Sequence, residues 1–338
     1  MNGRIRTFGA GMVVTAAFAL LPLSAPLNGQ AGSKAWRAPR TSDGRPDFQG
    51  IWIIRTATPL ERPKALEGKA LLTDQEVAAL KARADQIFKN GTSDFAAGDA
   101  VFLAALGGPD RFTSVTSTHG AEDMIDREFD HHTSQVIDPP DGHIPALTAE
   151  GRRRRELAAA AARRADGPED FDNAFRCISW GVPRLGGRYG AGDLSYYQIV
   201  QTPSYVVLFM ETGHEARVIP LDGRPHLTSS AGQWSGDSRG HWESDTLVVD
   251  TINFSAKNNF MGSAEHLHVI ERFTRSAEDT ITYQMTFDDP TTWTRPWTAE
   301  VPLKRTEQPL YEYACHEGNF PLMTGVLSGA HADNRSDR

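Results

Sequence analysis

Side chains able to move protons concentrate in one short stretch of this 338-residue chain. Glu211, His214, Glu215 and Arg217 follow directly on the apolar run Tyr205–Met210, and Asp222, Arg224 and His226 come next. A carboxyl at the end of an aromatic-lined strand face loses hydration, which raises its pKa and suits it to general acid or base work. Counting by twos puts Tyr205, Val207, Phe209 and Glu211 on one strand face. Glu211 or His214 is the expected base. Arg217 stands beside Val218 and Ile219, where a guanidinium needs a carboxylate or an anionic ligand. It would hold an anionic ligand, or pair with Glu211 as scaffold. Tyr196 and Tyr197 put one phenol on the buried face, a second candidate for holding that ligand. The same stretch also reads as a polar hairpin turn, E-T-G-H-E, with solvated charges.

Around this cluster, Tyr205, Trp234, Trp293 and Trp297, together with His226, are the expected substrate-contacting residues, because aromatic walls suit an aromatic guest. His266 and His268 share a strand face, but no third ligand stands at matching spacing, so no metal is expected. No Gly-rich phosphate loop occurs, and no cofactor is expected. Gly236-Asp237-Ser238 and Gly262-Ser263 read as ordinary turns, so serine-hydrolase chemistry is not expected. Asp237 or Asp288 would be the acid if the tryptophans were sugar platforms. Tyr311, Tyr313, His316 and Glu317 make a second candidate rim.

The elements that must hold these residues are mostly strands. Thr73-Asp74-Gln75-Glu76 is a capping box opening a helix that carries Val77, Leu80, Ala84, Ile87 and Phe88, and Asn90-Gly91 stops it. A second helix is expected over about Ala149–Ala165. From Tyr196 onward the period becomes two: Tyr196–Gln201, Tyr205–Met210, Arg217–Pro220, His241–Asp250, then Ile281, Tyr283, Met285 and Phe287 in strict alternation. Ala299, Val301 and Leu303 repeat it, and Tyr311, Tyr313 and Cys315 are read as a last strand. Short strands at turn-separated intervals predict a mainly β fold, an antiparallel meander closing as a barrel with peripheral helices. Gly50-x-Trp52 on an opening strand is similar to the calycin, or lipocalin-like, pattern. The expected layout is a signal peptide over 1–31, a strand with a helical and loop excursion packed on the barrel over 32–195, the barrel over 196–320, and a tail over 321–338.

The N-terminus carries Arg4, Arg6 and the apolar run Met12–Leu23, with small residues before Ala31, the marks of a secretory signal. The run is too short to span a bilayer. Formal charge is −8, and −10 once Arg4 and Arg6 leave. That balance argues against nucleic acid or an anionic membrane as partner. The basic run Arg152–Arg155 reads as a solvated helix face. A periplasmic or secreted chain with only Cys177 and Cys315 favours their pairing. The expected partner is a small aromatic or hydrophobic molecule, with a homodimer as a further possibility.

Longer segments carry a second resemblance. RTATPLERP (55–63), QIVQTPSYVVLFMETGHEARVIPLDGRPH (198–226), GDSRGHWESDTLVVDTINF (236–254), DDPTTWTRPWTAEVPL (288–303) and YEYACHEGN (311–319) resemble a large exported bacterial family, most of it without known function. Within or near it stand the bacterial lyases that open the cyclic aryl ether of phenylcoumaran-type lignin dimers. That resemblance implies an aromatic substrate and a cofactor-free elimination. The rival expectations are a carrier for a hydrophobic small molecule and a carbohydrate-active enzyme.

Overall fold

Alternating apolar and polar side chains build ten strands: β1 (Gly50–Ile54), β2 (Val136–Asp138), β3 (Tyr196–Gln201), β4 (Tyr205–Met210), β5 (Glu215–Pro220), β6 (Asp237–Glu243), β7 (Thr246–Ile252), β8 (His268–Ala277), β9 (Thr280–Asp288) and β10 (Trp297–Thr306). In the computed structural model the described residues are 36–87, 100–107, 127–164, 167–171, 173–181, 183, 196–258 and 260–336. The signal-like segment and the Asn90-Gly91 helix stop lie outside them. One antiparallel sheet runs in the order β5-β4-β3-β1-β10-β9-β8-β7-β6, and β2 pairs with β10 beyond the end of β1.

The two ends of that sheet meet without a ladder between them. Gly240 of β6 abuts β5: a Cβ there would lie 2.8 Å from Ile219 Cγ2 and 2.7 Å from Leu221 Cδ2. Arg217 of β5 donates to Ser238 Oγ of β6 (3.0 Å) and Thr251 Oγ1 of β7 (3.2 Å). The result is a nearly closed β-barrel with few, peripheral helices. Its interior is packed core: Trp52, Ile199, Leu208, Val249, Phe273, Met285 and Trp297 belong to one continuous buried cluster. Large side chains from facing strands meet there, as close packing of a protein interior requires.

Across this apolar interior runs a buried ion pair. The Arg217 fork meets the Glu271 carboxylate bidentately, NH1 to Oε1 at 3.0 Å and NH2 to Oε2 at 2.6 Å. Tyr283 donates its hydroxyl to Glu271 Oε1. Burial works against the Arg217 charge, but the Glu271 charge and hydrogen bonds outweigh it and hold the guanidinium pKa up. Burial, then Glu271, pushes the Tyr283 phenol well above its ordinary value.

Helix α1 (Asp74–Ile87) begins at the expected capping box: Glu76 accepts from Thr73 N, and Glu76 N donates to Thr73 Oγ1. Helix α2 (Ala100–Gly107) was not legible, because AVFLAALG is apolar all round and carries no period. It packs on α1 through Leu80, Ala84, Val101 and Phe102 in a second core. Helix α3 (Ala149–Arg164) docks where Gly151 meets the backbone of Thr292; a Cβ there would be 2.6 Å from Thr292 O. No described helix is long and apolar enough to cross a membrane.

Two expectations are corrected. β1 lies inside the sheet, between β3 and β10, rather than in a layer packed on the barrel. The last strand ends at Thr306, not Cys315. Residues 307–314 have no regular structure, and Cys315 opens helix α4 (Cys315–Ser336). Pro309 removes a ladder donor just after β10, so the alternation of Tyr311, Tyr313 and Cys315 finds no neighbouring strand. Cys177 and Cys315 are bonded, with Cα atoms 5.9 Å apart.

Breaking the buried pair should cost far more than breaking a surface one. Arg217→Met or Glu271→Gln is expected to lower unfolding free energy by about 3–5 kcal/mol, because each strands a buried group. Combining Arg217→Met with Glu271→Leu should recover much of that loss. Urea unfolding decides it: single-variant losses below about 1 kcal/mol, the scale of exposed pairs, would contradict the seam's dependence on this pair.

Candidate functional site

Glu211 stands at the turn joining β4 to β5, where Gly213 (φ +74°) and His214 (φ +49°) take left-handed conformations. Gly213 is required there twice over, since a Cβ would also lie 2.9 Å from the Trp180 ring. Trp180 meets Tyr313 edge-on at 5.5 Å between ring centres, and His214 stacks on Phe209 at 6.2 Å. The irregular segment 307–314 crosses this turn as a strap. Tyr311 N donates to Glu211 Oε1 (3.2 Å) and Tyr313 N donates to His214 Nε2 (3.1 Å). The Cys177–Cys315 bond anchors the strap to the Trp180 loop. Ser179 Oγ lies 3.3 Å from both carboxylate oxygens of Glu215 beneath it.

Electrostatics distinguish the two candidate bases. Burial lifts the Glu211 pKa above the usual carboxylate range, while the Tyr311 N–H and the His214 charge pull the other way and lose. Its Oε2 is buried with no hydrogen-bond partner. A buried carboxyl oxygen left open is costly unless a proton or a ligand occupies it. His214 Nε2 has its lone pair engaged by Tyr313 N–H. Glu211 therefore has a free basic atom, and His214 holds the strap.

The other expected site residues disperse. The inward faces of β4 and β5 carry Val206, Leu208, Met210 and Arg217, so Tyr205, Val207 and Phe209 point outward. The expected inward face is thus corrected by one residue, the whole difference between core and surface in a strand. Arg217 is held by Glu271 rather than by Glu211 or a ligand. Tyr197 is buried and Tyr196 half-buried. Trp293 and Trp297 are 2% and 0% exposed and pack edge-on in the core, so neither is a substrate platform. Trp234 is half-buried, and Tyr205 lies at the far end of β4 from Glu211.

His226 belongs to a different cluster, on the outer face of β6–β8. Its Nδ1 lies 3.1 Å from Asp237 Oδ2 and its Nε2 2.9 Å from Asp250 Oδ1, while His268 Nε2 lies 3.0 Å from Asp250 Oδ2. Arg239 neutralises the other oxygen of Asp237 at 2.6 Å. His266 is exposed and precedes β8, so the two histidines do not share a strand face. The cluster fastens the loop carrying His226 to the barrel wall. Asp237 is buried and tied to Arg239, Leu227 N and His226; Asp288 sits opposite His268 in the ladder. Asp237 is therefore not the free acid that a glycosidase reading needs.

Sequence reasoning missed Glu271, Trp180 and Asp250. Glu271 left a signal: it falls between Val269 and Phe273 on the apolar face of β8, a carboxylate needing a buried cation. Trp180 had none, because a loop has no period. No family model, curated protein or solved structure matches the chain.

Two outcomes follow from this geometry. The hydrogen bond to Asp250 comes first in raising the His268 pKa, and it lowers that of Asp250. A raised imidazole contributes stability that is full below its unfolded value of about 6.5 and is lost as pH rises through the folded value. His268→Gln should therefore cost stability near pH 6 and little near pH 9, measured by thermal melts across that range; an equal cost at both would refute the pairing. Reducing the Cys177–Cys315 bond should speed hydrogen exchange at the Tyr311 and Tyr313 amides, while β8 and β9 amides stay protected. Unchanged strap exchange would show that the strap holds without its anchor.

Proposed function

We propose that this chain is an exported, cofactor-independent carbon–oxygen lyase that opens the cyclic ether of a small aromatic compound, of the phenylcoumaran type, with Glu211 as the proton-transferring group. The observation that carries the reading is the half-buried Glu211 carboxyl with a raised pKa and an open oxygen, on a turn whose His214 stacks on Phe209 and whose Gly213 abuts Trp180. Aromatic edges beside an acid suit a flat, weakly polar guest better than a sugar. The packed barrel interior favours a site at this rim over a ligand carried inside. Export is supported by the Cys177–Cys315 bond, which belongs to oxidising compartments, and by the signal-like N-terminal segment.

Ring opening of such an ether is an isomerisation. Glu211 takes the proton from the carbon next to the ether carbon, and the electron pair of that C–H bond becomes the new C=C bond. The C–O bond breaks, its electrons go to the phenolate oxygen, and the proton on Glu211 returns there. A carboxyl whose pKa is lifted toward neutrality serves both halves of that transfer. Arg217, fixed by Glu271, takes no part; Tyr313 and Trp180 hold the ring.

Incubation with phenylcoumaran dimers, followed through the absorbance of the stilbene product, tests this directly. Glu211→Gln should leave the melting temperature nearly unchanged and lower turnover by about 100-fold or more, the scale of losing a general base. Turnover that survives Glu211→Gln would remove Glu211 from the chemistry, and no turnover on any aryl ether in the panel would remove the activity.

A further inference from the structure

Two guanidiniums share one indole at the barrel end opposite Glu211. Arg275, near the end of β8, and Arg305, near the end of β10, lie 5.4 and 5.8 Å from the centre of the Trp52 ring. Trp36 lies 6.0 Å from Arg275 and is 42% exposed. Arg275 itself is 8% exposed, yet no carboxylate comes within ion-pair distance of it among the described residues. Its NH1 donates to Asp47 O (2.5 Å) and its NH2 to Glu278 O (2.6 Å). Each terminal nitrogen keeps one further N–H, and Nε is buried without a partner. Among the described residues, the Arg305 charge meets only a long contact, 3.8 Å, to the almost fully exposed Glu307.

This arrangement is electrostatically unfinished. Burial, and then the Arg305 charge, depress the Arg275 pKa; the Asp47 and Glu278 carboxylates oppose this from beyond ion-pair distance and do not prevail. Lys304 and Asp279 alongside are paired with each other at 3.6 Å and neutralise neither arginine. A chain of net charge −8 has carboxylates to spare, but among the described residues none reaches ion-pair distance of Arg275 and Arg305 has the long Glu307 contact alone. Like charges brought together at a partly dehydrated rim cost free energy that an anion between them would offset. A guanidinium fork matches a planar carboxylate bidentately, and an exposed indole beside it offers a face for an aromatic ring.

We propose that Arg275, Arg305 and Trp36 form a binding site for a small aromatic carboxylate, separate from the Glu211 rim. Calorimetric titration of the full mature chain with benzoate, acetate and sulfate tests it without any need for activity. Benzoate should bind saturably and at least ten-fold more tightly than acetate or sulfate. Arg305→Gln, a half-exposed position, should weaken benzoate ten-fold or more while leaving the unliganded melting temperature unchanged or raised, because a like-charge neighbour is gone. Trp36→Ala should narrow the gap between benzoate and acetate. Sulfate binding as tightly as benzoate would overturn the carboxylate assignment. Benzoate binding unaffected by Arg305→Gln, or absent altogether, would overturn the site.

Discussion

The Arg217–Glu271 pair is the interaction on which the closure of this barrel depends. Nine strands follow one another by antiparallel ladders, but β5 and β6 meet with no ladder between them. Across that seam the guanidinium reaches Ser238, Thr251 and Glu271, drawing residues of three neighbouring strands onto one side chain of β5. A ladder would join the two edges through backbone pairs; here one charge-assisted side-chain fork and the close approach allowed at Gly240 join them instead. The cost is a desolvated ion pair in the core. The Tyr283 hydroxyl on Glu271 and the Ser238–Thr251 contact lower that cost by occupying lone pairs that would otherwise be bare.

That seam also sets the ends of the barrel. Because Arg217 is committed inward, the β4–β5 turn projects Glu211 and His214 outward at the rim, where the strap can reach them. Backbone N–H groups of Tyr311 and Tyr313, the Trp180–Tyr313 ring contact and the Cys177–Cys315 bond help to hold the strap. Short hydrogen-bonded loops without a core of their own open more easily than ladders. The rim therefore joins an open carboxyl oxygen to a strap that opens more easily than the ladders. The opposite end is closed by arginine–tryptophan packing, and the outer wall of β6–β8 by alternating imidazoles and carboxylates. Each of these regions places charge where the sheet's own hydrogen bonds stop.

Much of the barrel was legible from residue order. Strict alternation in Ile281–Phe287 and Ala299–Leu303 placed β9 and β10, whose inward faces are buried as that period requires. The capping box at Thr73 and Glu76 placed the start of α1, and two cysteines behind a signal-like N-terminal segment pointed to one bond. Local chemistry was enough there, because strand period, helix caps and turns depend on neighbours a few residues away. The site was legible only as a cluster. Glu211 and His214 are three residues apart, so any hairpin brings them to one turn.

What tertiary structure alone decided was which way each side chain faces and what it meets. Phase along β4 differed by one residue from the sequence count, which moved Tyr205 and Phe209 outside. The partner of Arg217 lies 54 residues away on β8, and the donors to Glu211 and His214 lie about 100 residues away in the strap. Alternation of Tyr311, Tyr313 and Cys315 looked like a strand until the fold left it no strand to pair with. Period is a property of a segment, whereas phase and partner belong to the closed sheet; residue order therefore determined the elements of this protein, and the packing of ten strands determined which carboxyl was left open at the rim.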